Sequence, residues 1–148
     1  MSITIFAQGK IEPLSDIPRL IDEVKGIAAE RGWKYRVIDD DYDAQPDAVL
    51  THADPDRPSA VIKGLLGLKG VVLNVERGVE SLALLFDRSG VLTDIMQQLA
   101  WIENNRSGER FTMCKTQFGG IDTHIQIIEL FDRLRQKYLP NLIVTDEG

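Results

Sequence analysis

The stretch that decides the fold spans residues 110–125 and reads Arg-Phe-Thr-Met-Cys-Lys-Thr-Gln-Phe-Gly-Gly-Ile-Asp-Thr-His-Ile. Its first part predicts a β-strand over residues 111–118 that stops at a pair of glycines. Apolar residues at helical spacing begin directly afterwards and predict a helix from Ile121 to about Tyr138. Because backbone N–H groups and polar side chains converge where a strand passes into a helix, this junction is the first candidate for a functional site.

Working outward from the junction, apolar periodicity predicts the other regular elements. The predicted strands cover residues 3–7, 33–38, 71–75, 81–86 and 142–144, and the other helix runs from Ser15 to Gly32. Residues 39–58 contain seven aspartates and three prolines, so we expect a long acidic loop there, with one helical turn at 48–52 as an option within it.

Residues 91–103 fit two patterns. Leu92, Ile95 and Leu99 have helical spacing, whereas turn signals on both sides indicate a strand. We predict a strand that ends in a hairpin tip at residues 104–108.

The resulting order is β-α-β-β-β-(β)-β-α-β, with residues 91–103 as the bracketed strand. It predicts a single α+β domain over residues 1–148, with a mostly antiparallel sheet and two amphipathic helices packed on one face. This order resembles α+β folds in which helices cover one face of an antiparallel sheet, such as the TATA-box-binding-protein-like and helix-grip groups. The resemblance concerns element order and implies no function.

Composition argues against several classes of partner. The chain has 23 acidic and 17 basic side chains and a formal charge of −6, which disfavours nucleic acid as a partner. No apolar run approaches the roughly 20 residues that span a bilayer, so we expect no membrane association. A single cysteine and the absence of a secretory signal pattern predict a cytoplasmic protein.

No cofactor or metal is predicted. Asp39, Asp41 and Asp43 have the spacing that opens a calcium-binding loop. Ala44 then occupies the position that requires glycine, and Leu50 the position that requires a bidentate glutamate. The acidic run is therefore interpreted as solvated charge.

The candidate ligand-binding residues all lie at the junction: Lys115, Gln117, Gly119, Gly120, Asp122 and His124. If the strand face that carries Lys115 and Gln117 points inward, these side chains and His124 would line a pocket for a carboxylate or phosphate. If the face of Cys114 points inward, Lys115 and Gln117 are solvent residues.

Each of the other candidates also has a simple structural interpretation. The two glycines would supply positive φ angles to a tight connection. Asp122 would serve the helix dipole. His124 would be a core histidine, nearly buried and hydrogen-bonded to a neighbouring strand.

The functional prediction is a non-catalytic binding or protein-interaction module, with a homodimer through a sheet edge as one form of partnership. One alternative is a small anionic ligand bound between the last helix and the sheet. A second alternative is an enzyme in which Cys114 is the nucleophile and His124 the base.

Overall fold

The computed structural model describes residues 3–54 and 57–147. Within these ranges the chain forms nine strands and three α-helices. The strands are β1 Thr4–Gln8, β2 Lys34–Asp39, β3 Val49–Asp54, β4 Arg57–Lys63, β5 Lys69–Asn74, β6 Leu82–Phe86, β7 Leu92–Thr93, β8 Thr112–Lys115 and β9 Ile143–Asp146. The helices are α1 Ile17–Arg31, α2 Ile95–Glu103 and α3 Ile121–Lys137. This confirms a single-domain α+β fold.

The strands form antiparallel sheets, as predicted. One has the order β8-β1-β9, a second has the order β2-β5-β6-β7, and β3 and β4 pair as a hairpin. Backbone hydrogen bonds connect the first two sheets: the Leu92 N–H donates to the Gly9 carbonyl at 2.9 Å, and the Glu80 N–H donates to the Lys115 carbonyl at 3.3 Å. The two sheets consequently share one core.

Helices α1 and α3 pack against the same side of this core. Leu20 and Val24 of α1 and Phe131 of α3 are buried in one apolar cluster together with side chains of β1, β5 and β6. The helices also contact each other at the surface, where a Glu23 carboxylate oxygen lies 3.5 Å from an Arg133 guanidinium nitrogen. The predicted pair of amphipathic helices on one face is therefore confirmed.

Helix α2 corrects the prediction of a strand over residues 91–103. Within these residues the strand is limited to Leu92–Thr93, and the segment predicted as a hairpin tip connects α2 to β8. Asp94 begins the helix, because its carboxylate accepts the N–H of Gln97 at 2.8 Å, which is the usual N-cap arrangement. A second apolar cluster lies on the sheet face opposite α1 and α3 and consists of Leu68, Val72, Ala83 and Leu85. Ile95 packs against this cluster.

The hairpin of β3 and β4 corrects the prediction of a continuous acidic loop over residues 39–58. Regular pairing begins at Val49, opposite Lys63, and continues with Leu50 opposite Ile62. The helical turn considered at residues 48–52 is wrong, since β3 occupies this stretch. A local excess of aspartate and proline indicates a loop, but it does not reveal the pairing of two adjacent strands.

Candidate functional site

The predicted junction contains a tight connection between β8 and α3. The Gly119 N–H donates to the Thr116 carbonyl at 3.0 Å, which closes the turn. Gly120 is the N-cap of α3, with φ −71° and ψ 158°. The prediction that these glycines supply positive φ angles is wrong, because neither of them has one.

Gly119 is required by a close contact instead. A Cβ atom at this position would lie 2.4 Å from Val79 Cγ2 and 3.0 Å from Glu76 Oε2. A Cβ at Gly120 would meet nothing within 4 Å. The first glycine therefore lets the turn after β5 approach the start of α3, while the second faces open space.

This difference gives a matched test of the junction. Gly119→Ser is expected to lower the free energy of unfolding by about 1–3 kcal/mol, because Val79 must be displaced. Gly120→Ser is expected to change it by less than about 0.5 kcal/mol, because serine is a favoured N-cap residue and has room there. Urea unfolding of both variants measures the difference, and equal losses would contradict the close contact at Gly119.

His124 connects α3 to two strands. Its Nδ1 lies 2.6 Å from the Thr116 hydroxyl, and its Nε2 lies 3.0 Å from both carboxylate oxygens of Asp146. Since a carboxylate only accepts hydrogen bonds, Nε2 donates to Asp146, and Nδ1 forms the second hydrogen bond with the Thr116 hydroxyl. The side chain of His124 is 16 % exposed, so it is nearly buried and bonded to neighbouring strands.

The N-terminus of α3 already has an internal carboxylate beside it. Glu76 Oε2 accepts a hydrogen bond from the Thr123 hydroxyl and a long one, 3.4 Å, from the Gly120 N–H. The positive end of the helix thus faces a negative side chain of the same chain. An external anion would have to approach next to this carboxylate.

The junction borders a pocket of about 250 Å³, lined by Ile3, Thr116, Gly119, Gly120, Ile121 and His124. Three of the six predicted site residues, Gly119, Gly120 and His124, are therefore brought together. Lys115, Gln117 and Asp122 are not among the lining residues. On β8 the side chains of Thr112 and Cys114 are buried and that of Lys115 is exposed, so the face of Cys114 points inward.

Cys114 lies in an environment that suppresses its reactivity. The side chain is fully buried, and its thiol donates to the Glu80 carbonyl at 3.3 Å. Burial, with a further contribution from the negative charge of Glu80, raises the pKa of Cys114 to about 12. The thiolate that a nucleophilic mechanism requires is therefore scarce at neutral pH.

Three further residues of this site, Thr116, Asp146 and Glu76, were not predicted from the sequence. Thr116 has a local signal, since it shares the inward face of the strand with Cys114. Asp146 and Glu76 reach the junction from segments 22 and 44 residues away in sequence, and no local pattern marks them.

Exposed apolar side chains flank the junction. Phe118 and Ile121 are 78 % and 76 % exposed, and Ile125, one turn later on α3, is 46 % exposed. The apolar arc predicted for this helix is thus buried only from Ile127 onward.

Comparison with known proteins identifies no relative: no protein-family model, no curated protein and no solved structure matches the chain. In the part of the chain that the structure describes, no helix is long and apolar enough to cross a membrane.

Proposed function

We propose that the protein is a non-catalytic protein-interaction module that associates with a second copy of itself through the free edge of β2. The observation that carries this proposal is the position of β2 at the end of its sheet. It pairs with β5 on one side, and no strand among the described residues pairs with its other side. Such an edge presents unpaired N–H and C=O groups to another strand.

The side chains of β2 add an apolar surface to this edge. Tyr35 and Val37 are 43 % and 42 % exposed. They lie opposite Leu73 and Val71 in the register, so they share the sheet face that carries the main core. A second β2 strand would continue this apolar row and remove part of it from water.

The charges of β2 make the strand complementary to itself. Lys34 and Arg36 lie in its N-terminal half, and the acidic run Asp39 to Asp41 lies at its C-terminal end. Antiparallel pairing about a two-fold axis at Val37 places Lys34 of each copy opposite Asp40 of the other. The Asp40 carboxylate also accepts the Gly67 and Leu68 N–H groups of its own chain at 3.0 and 3.1 Å. An isologous interface requires such self-complementarity. Basic residues alone would instead be typical of an edge protected against pairing.

The two alternative functions receive less support from the geometry. Among the described residues, those that line the junction pocket include no lysine or arginine, and the carboxylate of Glu76 already faces the start of α3. The raised pKa of Cys114 opposes its use as a nucleophile. These observations leave self-association as the function with the most direct structural support.

Charge-swapped variants test the proposal. Lys34→Glu places a glutamate opposite Asp40 of the other copy, and Asp40→Lys places a lysine opposite Lys34 of the other copy. Circular dichroism checks that Asp40→Lys is folded, because this variant loses the hydrogen bonds from the Gly67 and Leu68 N–H groups. We expect the wild-type protein to be a dimer, each variant alone to be a monomer because like charges meet, and an equimolar mixture of the two variants to form a heterodimer. Sedimentation equilibrium gives the masses, and native mass spectrometry distinguishes the heterodimer from either homodimer.

Two single variants serve as controls. Val37→Lys places two lysines at the two-fold axis and is expected to give a folded monomer. Ile121→Ser removes the exposed apolar surface at the start of α3 and is expected to leave the dimer intact. A monomeric wild-type protein at sub-millimolar concentration would refute self-association, and dissociation by Ile121→Ser but not by Val37→Lys would place the interface at α3.

A further inference from the structure

A groove lies on the sheet face opposite α1 and α3, where α2 covers only part of the sheet. It has a volume of about 360 Å³, which is within the usual range of small-molecule sites. Val72 and Ala83 lie along its floor on β5 and β6, while Met96 of α2 and Met113 of β8 lie along its sides. Among the described residues, those that line the groove include no residue of β2 and none that lines the junction pocket.

Among the described residues, the charged side chains that line the groove are all negative. They belong to Glu80 and Asp94. Asp94 is half-buried at the first turn of α2, and Glu80 is exposed at the rim. The basic side chain closest by strand register is Arg36, which lies opposite Val72 on the neighbouring strand and is exposed.

We infer that this groove binds a small organic cation with an apolar body, such as an alkylammonium or arylalkylammonium ion. The methionine and aliphatic side chains would contact the apolar body, since thioethers adapt to irregular shapes. The two carboxylates would lie near the ammonium group. The N-terminus of α2 carries a partial charge of roughly +0.5, which by itself would repel a cation. The full negative charges of Glu80 and Asp94 together exceed it.

The electrostatic state of Asp94 agrees with this assignment. Burial raises the pKa of Asp94 above its ordinary value, and the negative charge of Glu80 adds to this effect. Hydrogen bonds from the backbone N–H groups of Gln97, Met113 and Met96 act in the opposite direction. A carboxylate that is poorly stabilised by its surroundings gains more from a bound cation than a fully solvated one.

The methionines provide a direct probe, because the sequence contains three and two of them line the groove. With methyl-¹³C methionine, titration with hexylammonium is expected to shift the Met96 and Met113 methyl resonances saturably. Hexanol and hexanoate, which have the same apolar chain without the positive charge, are expected to bind at least about tenfold more weakly.

The control variant Glu80→Gln/Asp94→Asn removes both charges and keeps the N-cap, because asparagine caps helices as well as aspartate does. It is expected to lower the affinity for hexylammonium at least about tenfold while hexanol binding is unchanged. Equal binding of hexylammonium and hexanoate, an unchanged affinity in the variant, or no shift of either groove methionine would each overturn the inference. None of these results depends on whether the protein dimerises through β2.

Discussion

Replacing Asp87 with alanine is expected to lower the free energy of unfolding by about 3–5 kcal/mol, because it leaves the positive charge of Arg110 buried without its partner. The two side chains are 4 % and 9 % exposed and form an ion pair through Asp87 Oδ2 and Arg110 Nη1. The other carboxylate oxygen accepts the N–H groups of Ser89 and Val91 at 2.9 and 3.0 Å. One substitution therefore removes three hydrogen bonds.

Arg110 connects α2 to the turn between β6 and β7, which contains Asp87. Its Nη1 donates to Gln98 Oε1 at 3.0 Å, and its guanidinium carbon lies 4.0 Å from the centre of the Trp101 ring. The amide nitrogen of Gln98 in turn donates to the Leu66 carbonyl at 2.9 Å. Loss of Asp87 should thus loosen the attachment of α2 to the sheet as well as the turn between β6 and β7.

Urea unfolding measures this effect, with Arg88→Ala as the matched control. Arg88 is the exposed neighbour of Asp87 and contacts Gln45 at 3.4 Å, so its loss should cost less than about 0.5 kcal/mol. The double variant Asp87→Asn/Arg110→Met removes both charges and should recover part of the loss. An equally small loss of unfolding free energy for Asp87→Ala and Arg88→Ala would show that the buried ion pair of Asp87 and Arg110 does not stabilise the protein as its geometry implies.

The sequence predicted those elements that have one apolar face and a strong period. In α1 the residues Leu20, Val24 and Ala28 recur at helical spacing and are all fully buried. In β5 and β6 short apolar runs between turn residues were sufficient to indicate strands. Here the local pattern and the tertiary environment agree, so periodicity alone locates the element.

Helix α2 shows where local information was insufficient. Its apolar residues fitted a helix, but the flanking turn signals fitted a strand, and the outcome depends on contacts that are distant in sequence. The cap at Asp94 was readable in principle, whereas the bond from Gln98 to the Leu66 carbonyl spans 32 residues. The turn signals after residue 103 belonged to the end of a helix, with positive φ angles at Asn105 and Arg106.

The sequence predicted where the junction lies, but not the side-chain contacts that hold it together. A strand, two glycines and a helix were readable from residues 110–125, and the structure places Gly119, Gly120 and His124 around one pocket. Asp146, one of the two partners of His124, comes from β9, and the carboxylate at the start of α3 comes from the turn after β5. Such contacts are set by the arrangement of the sheets, which single-sequence periodicity does not specify.

Gly70→Ala is the second substitution with a large expected effect: we expect a loss of about 4 kcal/mol or more, or no folded protein. Gly70 has φ +150°, which other residues rarely adopt. A Cβ atom there would lie 2.0 Å from the Leu84 carbonyl oxygen. Because this neighbour is backbone of the adjacent strand β6, no change of rotamer relieves the overlap, and β5 and β6 must separate.

Circular dichroism and urea unfolding test this prediction, with Gly26→Ala as the control. Gly26 lies within α1, and a Cβ atom there meets nothing within 4 Å, so alanine should stabilise the protein by about 0.5–1 kcal/mol. Gly70 also lies opposite Ile38 of β2, so the same overlap should disturb the strand whose edge is proposed to self-associate. A Gly70→Ala protein as stable as wild type would mean that β5 and β6 are not paired in this register.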